Sequence, residues 1–98
     1  MKKNTPKKDT GTWTFLSNHA HVMICIRREP TARMRDIAQF VGITERAVQL
    51  IIAELVEEGY LAVEKKGRRN HYKVIANKPL RHALEAHHSL QHLLDALV

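Results

Sequence analysis

Arg46, Gln49, Arg68 and Arg69 are the side chains of this 98-residue chain best suited to chemistry with another molecule. A guanidinium is a planar fork of donors that fits phosphate oxygens or the O6/N7 edge of guanine, and a Gln amide can pair with the N6/N7 edge of adenine. Lys65, Lys66, Arg68 and Arg69 place four cations within five positions, with Asn70 next and Lys73 beyond. No catalytic set accompanies them. Cys25 is the only cysteine, and there is no nucleophile elbow, phosphate-binding glycine loop or pair of carboxylates in a plausible cleft. The chain therefore reads as a non-enzyme that needs no cofactor. Glu85, His88 and His92 recur at spacings of three and four, with Asp95 three further on. Imidazoles four apart on a helix can hold one zinc ion. The competing reading, a solvated polar face, leaves the chain without a metal.

Helices and a hairpin must position these groups. Ser17 or Asn18 can cap a helix reaching Arg28, with Val22, Cys25 and Ile26 on one face; Pro30 ends it. Trp13, Phe15 and Leu16 are expected to begin the packed region, and Thr31–Arg35 to form a short strand or extended link. A helix over Arg35–Val41 buries Ile37 and Val41, although it lacks a capping residue. Gly42 suits the left-handed turn that follows, and Thr44 suits the cap of a helix over Glu45–Glu58. Val48, Ile52 and Leu55 form the inward stripe of that helix, so Arg46, Gln49 and Leu50 face outward. Leu61 and Val63, then Tyr72 and Val74, alternate with polar neighbours, which predicts a hairpin around Gly67–Asn70. Pro79 opens a last helix running from Leu80 to the C-terminus. Its apolar side carries Leu80, Leu84, His87, Leu90, Leu94 and Leu97. That face covers about half the circumference, wider than the ~100° stripe one core contact needs, and implies that two copies pair on it.

A net charge of +6 and a pI near 9.8 favour a polyanionic partner. Ninety-eight residues make one domain with a small core. No apolar run approaches the ~20 residues that span a bilayer, so no membrane role is expected. The N-terminus has no apolar signal region, and a single cysteine fits a reducing cytoplasm. Residues 1–12, with Lys2, Lys3, Lys7 and Lys8, read as a flexible basic tail.

The order helix, short strand, helix-turn-helix, basic hairpin, helix resembles the winged-helix DNA-binding fold. The segments that carry the likeness are Ile37–Ile52, the phrase Glu57-Glu58-Gly59-Tyr60-Leu61, and Gly67-Arg68-Arg69-Asn70-His71-Tyr72. The string Trp13–Val98 is similar to short bacterial regulators of the MarR type, with ArsR-type regulators as near relatives. The expected fold class is α+β, mainly α. Residues 13–76 would be the winged-helix domain, with a two-stranded basic wing, and residues 77–98 a C-terminal dimerisation helix. The resemblance implies a homodimeric regulator of transcription, most often a repressor, that binds double-stranded DNA. Thr44, Glu45, Arg46, Gln49 and Leu50 would enter the major groove, where Arg46 meets either a base edge or a phosphate. Lys66, Arg68, Arg69 and Asn70 would meet the flanking backbone or minor groove, and Arg33 and Arg35 would add phosphate contacts. Neutralising roughly five to eight phosphates per dimer makes affinity fall steeply with salt. Two other readings remain open: a winged helix that docks another protein, and an ArsR-type metal-sensing repressor. Against the second, the chain lacks that family's Asp-x-His start and has no cysteine pair.

Overall fold

Ser17 starts the first helix in the computed structural model, which describes residues 13–98; the expected basic tail lies outside the described residues. Helix α1 spans Asn18–Arg28, and the Ser17 hydroxyl accepts from the Ala20 N–H at 3.4 Å. That bond satisfies one of the amide donors a helix start leaves unpaired. Val22, Met23 and Ile26 are buried. Glu29, before Pro30, leaves helical geometry and closes α1.

Helix α2 spans Met34–Val41, one residue earlier than the sequence suggests, with Arg33 at its cap position and no side-chain cap bond. Of the short strand or extended link expected before it, the structure has the link. Thr31–Arg33 is a turn and link, and the Tyr72 N–H donates to the Pro30 carbonyl at 3.0 Å as a single stitch to the sheet. Gly42 then takes a left-handed conformation (φ 86°), and its N–H closes on the Ala38 carbonyl at 2.8 Å. A Cβ at Gly42 would meet nothing within 4 Å. The cost of Gly42→Ala is therefore conformational, about 1–2 kcal/mol of stability. Urea denaturation reads it as a lower midpoint at constant slope; an unchanged midpoint would contradict the left-handed turn.

Helix α3 spans Glu45–Glu57, and the Thr44 hydroxyl caps it by accepting from the Ala47 N–H at 3.0 Å. Its inward stripe is Val48, Ile51 and Ile52, all buried, with Leu55 half-buried behind them. After Gly59 (φ 82°) the chain enters β1, Leu61–Lys66, which pairs antiparallel with β2, Arg69–Val74. The register sets Leu61 opposite Val74, Val63 opposite Tyr72 and Lys66 opposite Arg69. The turn is thus Gly67-Arg68 alone, tighter than the expected Gly67–Asn70. Gly67 at φ 64° supplies the positive φ that a two-residue hairpin turn demands.

The C-terminal segment corrects the expectation. In place of one helix from Leu80, turns and bends occupy most of the stretch 77–88, and helix α4 covers only Leu90–Leu97. Local bonds overrule the helical periodicity. The Ser89 hydroxyl accepts from the His92 N–H at 3.3 Å, and His92 Nδ1 accepts from the Ser89 N–H at 3.4 Å, a reciprocal cap that starts a helix here. The Leu80 N–H donates to His88, Leu90 to Lys78 and Gln91 to Ala76, all across the loop rather than along a helix. Leu90 and Leu94 then fall into the core against α1.

One core results, from α1, α2, α3, the inner hairpin face and α4. Trp13 and Phe15 do not join it. Both are exposed and meet each other edge-on, with ring centroids 4.9 Å apart. Among the described residues no helix is long and apolar enough to cross a membrane.

Candidate nucleic-acid interface

Burial of Val48, Ile51 and Ile52 fixes the roll of α3, and with it the outward direction of everything between them. Thr44, Glu45, Arg46, Gln49 and Leu50 are all exposed. Leu50 keeps 58% of its surface open. The Thr44 hydroxyl is engaged by the Ala47 N–H, so its first task is the cap. Packing of α2 on α3 holds the pair as one unit. Arg33 and Arg35, at the start of α2, are both exposed.

The hairpin sorts its side chains by alternation. Leu61, Val63, Tyr72 and Val74 share one face, and Glu64, Lys66, Arg69, His71 and Lys73 share the other. That second face carries Lys73, which the sequence marks among the hairpin cations, and gains His71. Period-two reading of β2 finds His71, because it follows Arg69 by two. Lys66 and Arg68 are exposed, and Asn70 is half-buried. The only acid near the tip, Glu64, is 3.9 Å from the Lys66 ammonium, both well solvated, a pairing worth little. Arg69 has a second role. Its Nη1 donates to the Thr31 carbonyl at 3.1 Å, which ties the hairpin to the link ahead of α2.

The histidine set is not the helical stripe its spacing suggests. Glu85 and His88 lie in the turns before α4, and only His92 is on the helix. The Nδ1 atoms of His88 and His92 approach to 3.2 Å. Among the described residues no group of three or more metal-ligating side chains comes together. The apolar set expected on the last helix also divides. Leu90 and Leu94 are buried within the chain and Leu80 is half-buried, whereas Leu84, His87 and Leu97 are exposed. His87 leans on His88, with ring centroids 4.3 Å apart.

Two contacts brace α3 that its own sequence does not announce. The Lys78 ammonium donates to the Glu58 carbonyl at 2.5 Å and lies 4.8 Å from the centre of the Tyr60 ring. A cation there suits the negative end of the helix dipole, which Glu54, Glu57 and Glu58 otherwise oppose. His19 meets Glu54 at 2.7 Å and links α1 to α3. Cys25 is half-buried in α1. Desolvation pushes its thiol pKa up, against a smaller lowering by Arg28, so the thiolate a nucleophile needs is disfavoured.

A capped helix after a glycine turn, with a basic hairpin beside it, is the layout of a winged helix-turn-helix. Residues 18–62 match the winged helix-turn-helix DNA-binding family. The matched stretch runs from the start of α1 through α2 and α3 into β1, and no curated protein matches the chain. The architecture is a winged helix, mainly α, with four helices and a two-stranded antiparallel sheet among the described residues. In its terms α2 and α3 are the helix-turn-helix and the β1–β2 hairpin is the wing. The match supports a DNA-binding regulator acting on double-stranded DNA.

Proposed function

We propose that this chain is a sequence-specific transcriptional regulator of MarR-like character that binds double-stranded DNA as a homodimeric repressor in the cytoplasm. The observation that carries the reading is the pairing of two surfaces. Arg46 and Gln49 stand out from the N-terminal half of α3, and the wing beside it presents Lys66, Arg69 and Lys73 on one face with Arg68 at the tip. The first surface reads base edges from the major groove; the second holds the flanking backbone. Thr44, Glu45 and Leu50 border the reading surface, with Leu50 suited to a thymine methyl group. Arg33 at the cap of α2 opposes that helix's dipole, a cost that a phosphate beside Arg33 and Arg35 would offset. Leu84, Leu97 and Val98 remain exposed on the C-terminal segment and support pairing of two copies there.

Arg68→Ala tests the wing. Affinity should fall by a similar factor on every duplex, and the slope of log K against log salt should become shallower by about 0.9 for each copy bound. A slope equal to that of wild type would remove Arg68 from the interface.

Phe40, 84% exposed on α2, together with Leu50, favours the second reading, a module that docks another protein. Retention on heparin separates the two. A DNA reader is held at low salt and released as salt rises, whereas a docking module elutes early.

A further inference from the structure

On the side of the molecule built by α1, the C-terminal end of α3 and the segment 80–93 lies a cleft of about 890 Å³. Its floor is apolar: Met23, Leu55, Tyr60 and Leu90 come up from the core. Phe15, 92% exposed, and Leu93 stand at its sides. The charged lining is mostly acidic: Glu54, Glu57, Glu58 and Glu85 share it with Arg81 and His19, in a chain whose net charge is +6. Two of these carboxylates have partners, Glu54 with His19 at 2.7 Å and Glu58 with Arg81 at 3.9 Å. Among the described residues Glu57 and Glu85 have none within ion-pair distance. The Tyr60 ring, part of the floor, already has the Lys78 ammonium 4.8 Å from its centre, so an aromatic face here is in use as a cation platform.

We propose that this cleft binds an amphipathic organic monocation, a molecule with an apolar body and one quaternary or protonated centre. The body would rest on Met23, Leu55 and Leu93, and the charge would face Glu57 and Glu85. Charge sign and size select this occupant. The chain as a whole repels cations, yet four of its carboxylates line this apolar surface. The volume falls in the range of about 300–1,000 Å³ typical of drug-sized ligand sites. The proposal stands independently of the DNA reading, because its test involves no nucleic acid.

The probe is tetraphenylphosphonium, titrated into the full-length chain by calorimetry and by amide chemical shifts. Tetraphenylborate, of nearly the same shape and opposite charge, and neutral triphenylphosphine oxide serve as comparisons. Binding of the cation about tenfold tighter than either is expected, with shifts at Ala20, Met23, Leu55 and Leu93. The double variant Glu57→Gln/Glu85→Gln, altered only at exposed side chains, should weaken the cation about tenfold and leave the neutral compound unchanged. Net charge alone predicts the reverse order. Equal or tighter binding of tetraphenylborate, shifts confined to other surfaces, or an unaffected double variant would each overturn the proposal.

Discussion

Leu94→Ala is expected to lower the unfolding free energy by about 2–4 kcal/mol, the range for truncating a buried leucine. Only 1% of Leu94 is exposed, and it packs with Val22, Met23 and Ile26 of α1 in the common core. Removing three side-chain carbons forfeits their burial and leaves a cavity that a small domain has little slack to close. The same residue distinguishes the fold from its alternative. If Leu94 lay between two copies, as a helix from Leu80 to the C-terminus would place it, the loss would grow on dilution. Urea titrations at two protein concentrations decide this. The core position predicts the same decrement at both; a decrement that depends on concentration would contradict it. Leu84→Ala is the matched control, since Leu84 is 80% exposed and its loss should leave the unfolding of a single copy nearly unchanged.

Arg46→Ala should cost about 1–3 kcal/mol of specific DNA affinity, which is roughly 5- to 150-fold. Arg46 lies in the first turn of α3, exposed, on a helix whose roll is fixed by Val48, Ile51 and Ile52. Its guanidinium can therefore meet a base edge without reordering the backbone, and two parallel hydrogen bonds to guanine require that fork. Discrimination should fall along with affinity: one base pair of the site should become tolerant of substitution. Arg46→Lys sharpens the test by keeping the charge and losing the fork, so most of the discrimination should still be lost. Competition binding with single-base variants of a preferred duplex measures both. Uniform weakening with unchanged discrimination would assign Arg46 to a phosphate and leave Gln49 as the reader.

Much of this fold is legible in the residues because local signals and packing agree. Ser17 and Thr44 cap where polar residues precede apolar stripes, Gly42 turns where a left-handed residue is needed, and the alternation in β1 and β2 fixes the wing. Disagreement came where two local signals compete. From Leu80 onward the apolar residues recur at helical spacing, but Ser89 and His92 form a reciprocal cap that begins α4 only at Leu90, nearly three turns later. The cap also needs the Lys78 and Ala76 carbonyls to accept from Leu90 and Gln91, and nothing in the periodicity shows those contacts. Trp13 and Phe15 stay outside the core for a related reason: hydrophobicity alone does not say which element a flanking residue reaches. In the candidate interface, exposure of Arg46, Gln49 and the wing cations follows from the sequence pattern. The tie from Arg69 to Thr31, 38 positions apart, and the brace from Lys78 to Glu58, 20 apart, are tertiary contacts without a local signature.

Selection of binding sites from a pool of random-sequence duplexes, at fixed salt, addresses sequence-specific recognition most directly. Enrichment of a short pseudo-palindrome is the predicted result, with half-sites about 10 base pairs apart, so that two copies of α3 enter successive major grooves on one side of the duplex. Binding to the enriched duplex should exceed binding to a scrambled one by about 10³-fold or more. A pool that stays random after repeated rounds, although the protein retains it electrostatically, would contradict sequence-specific reading by α3.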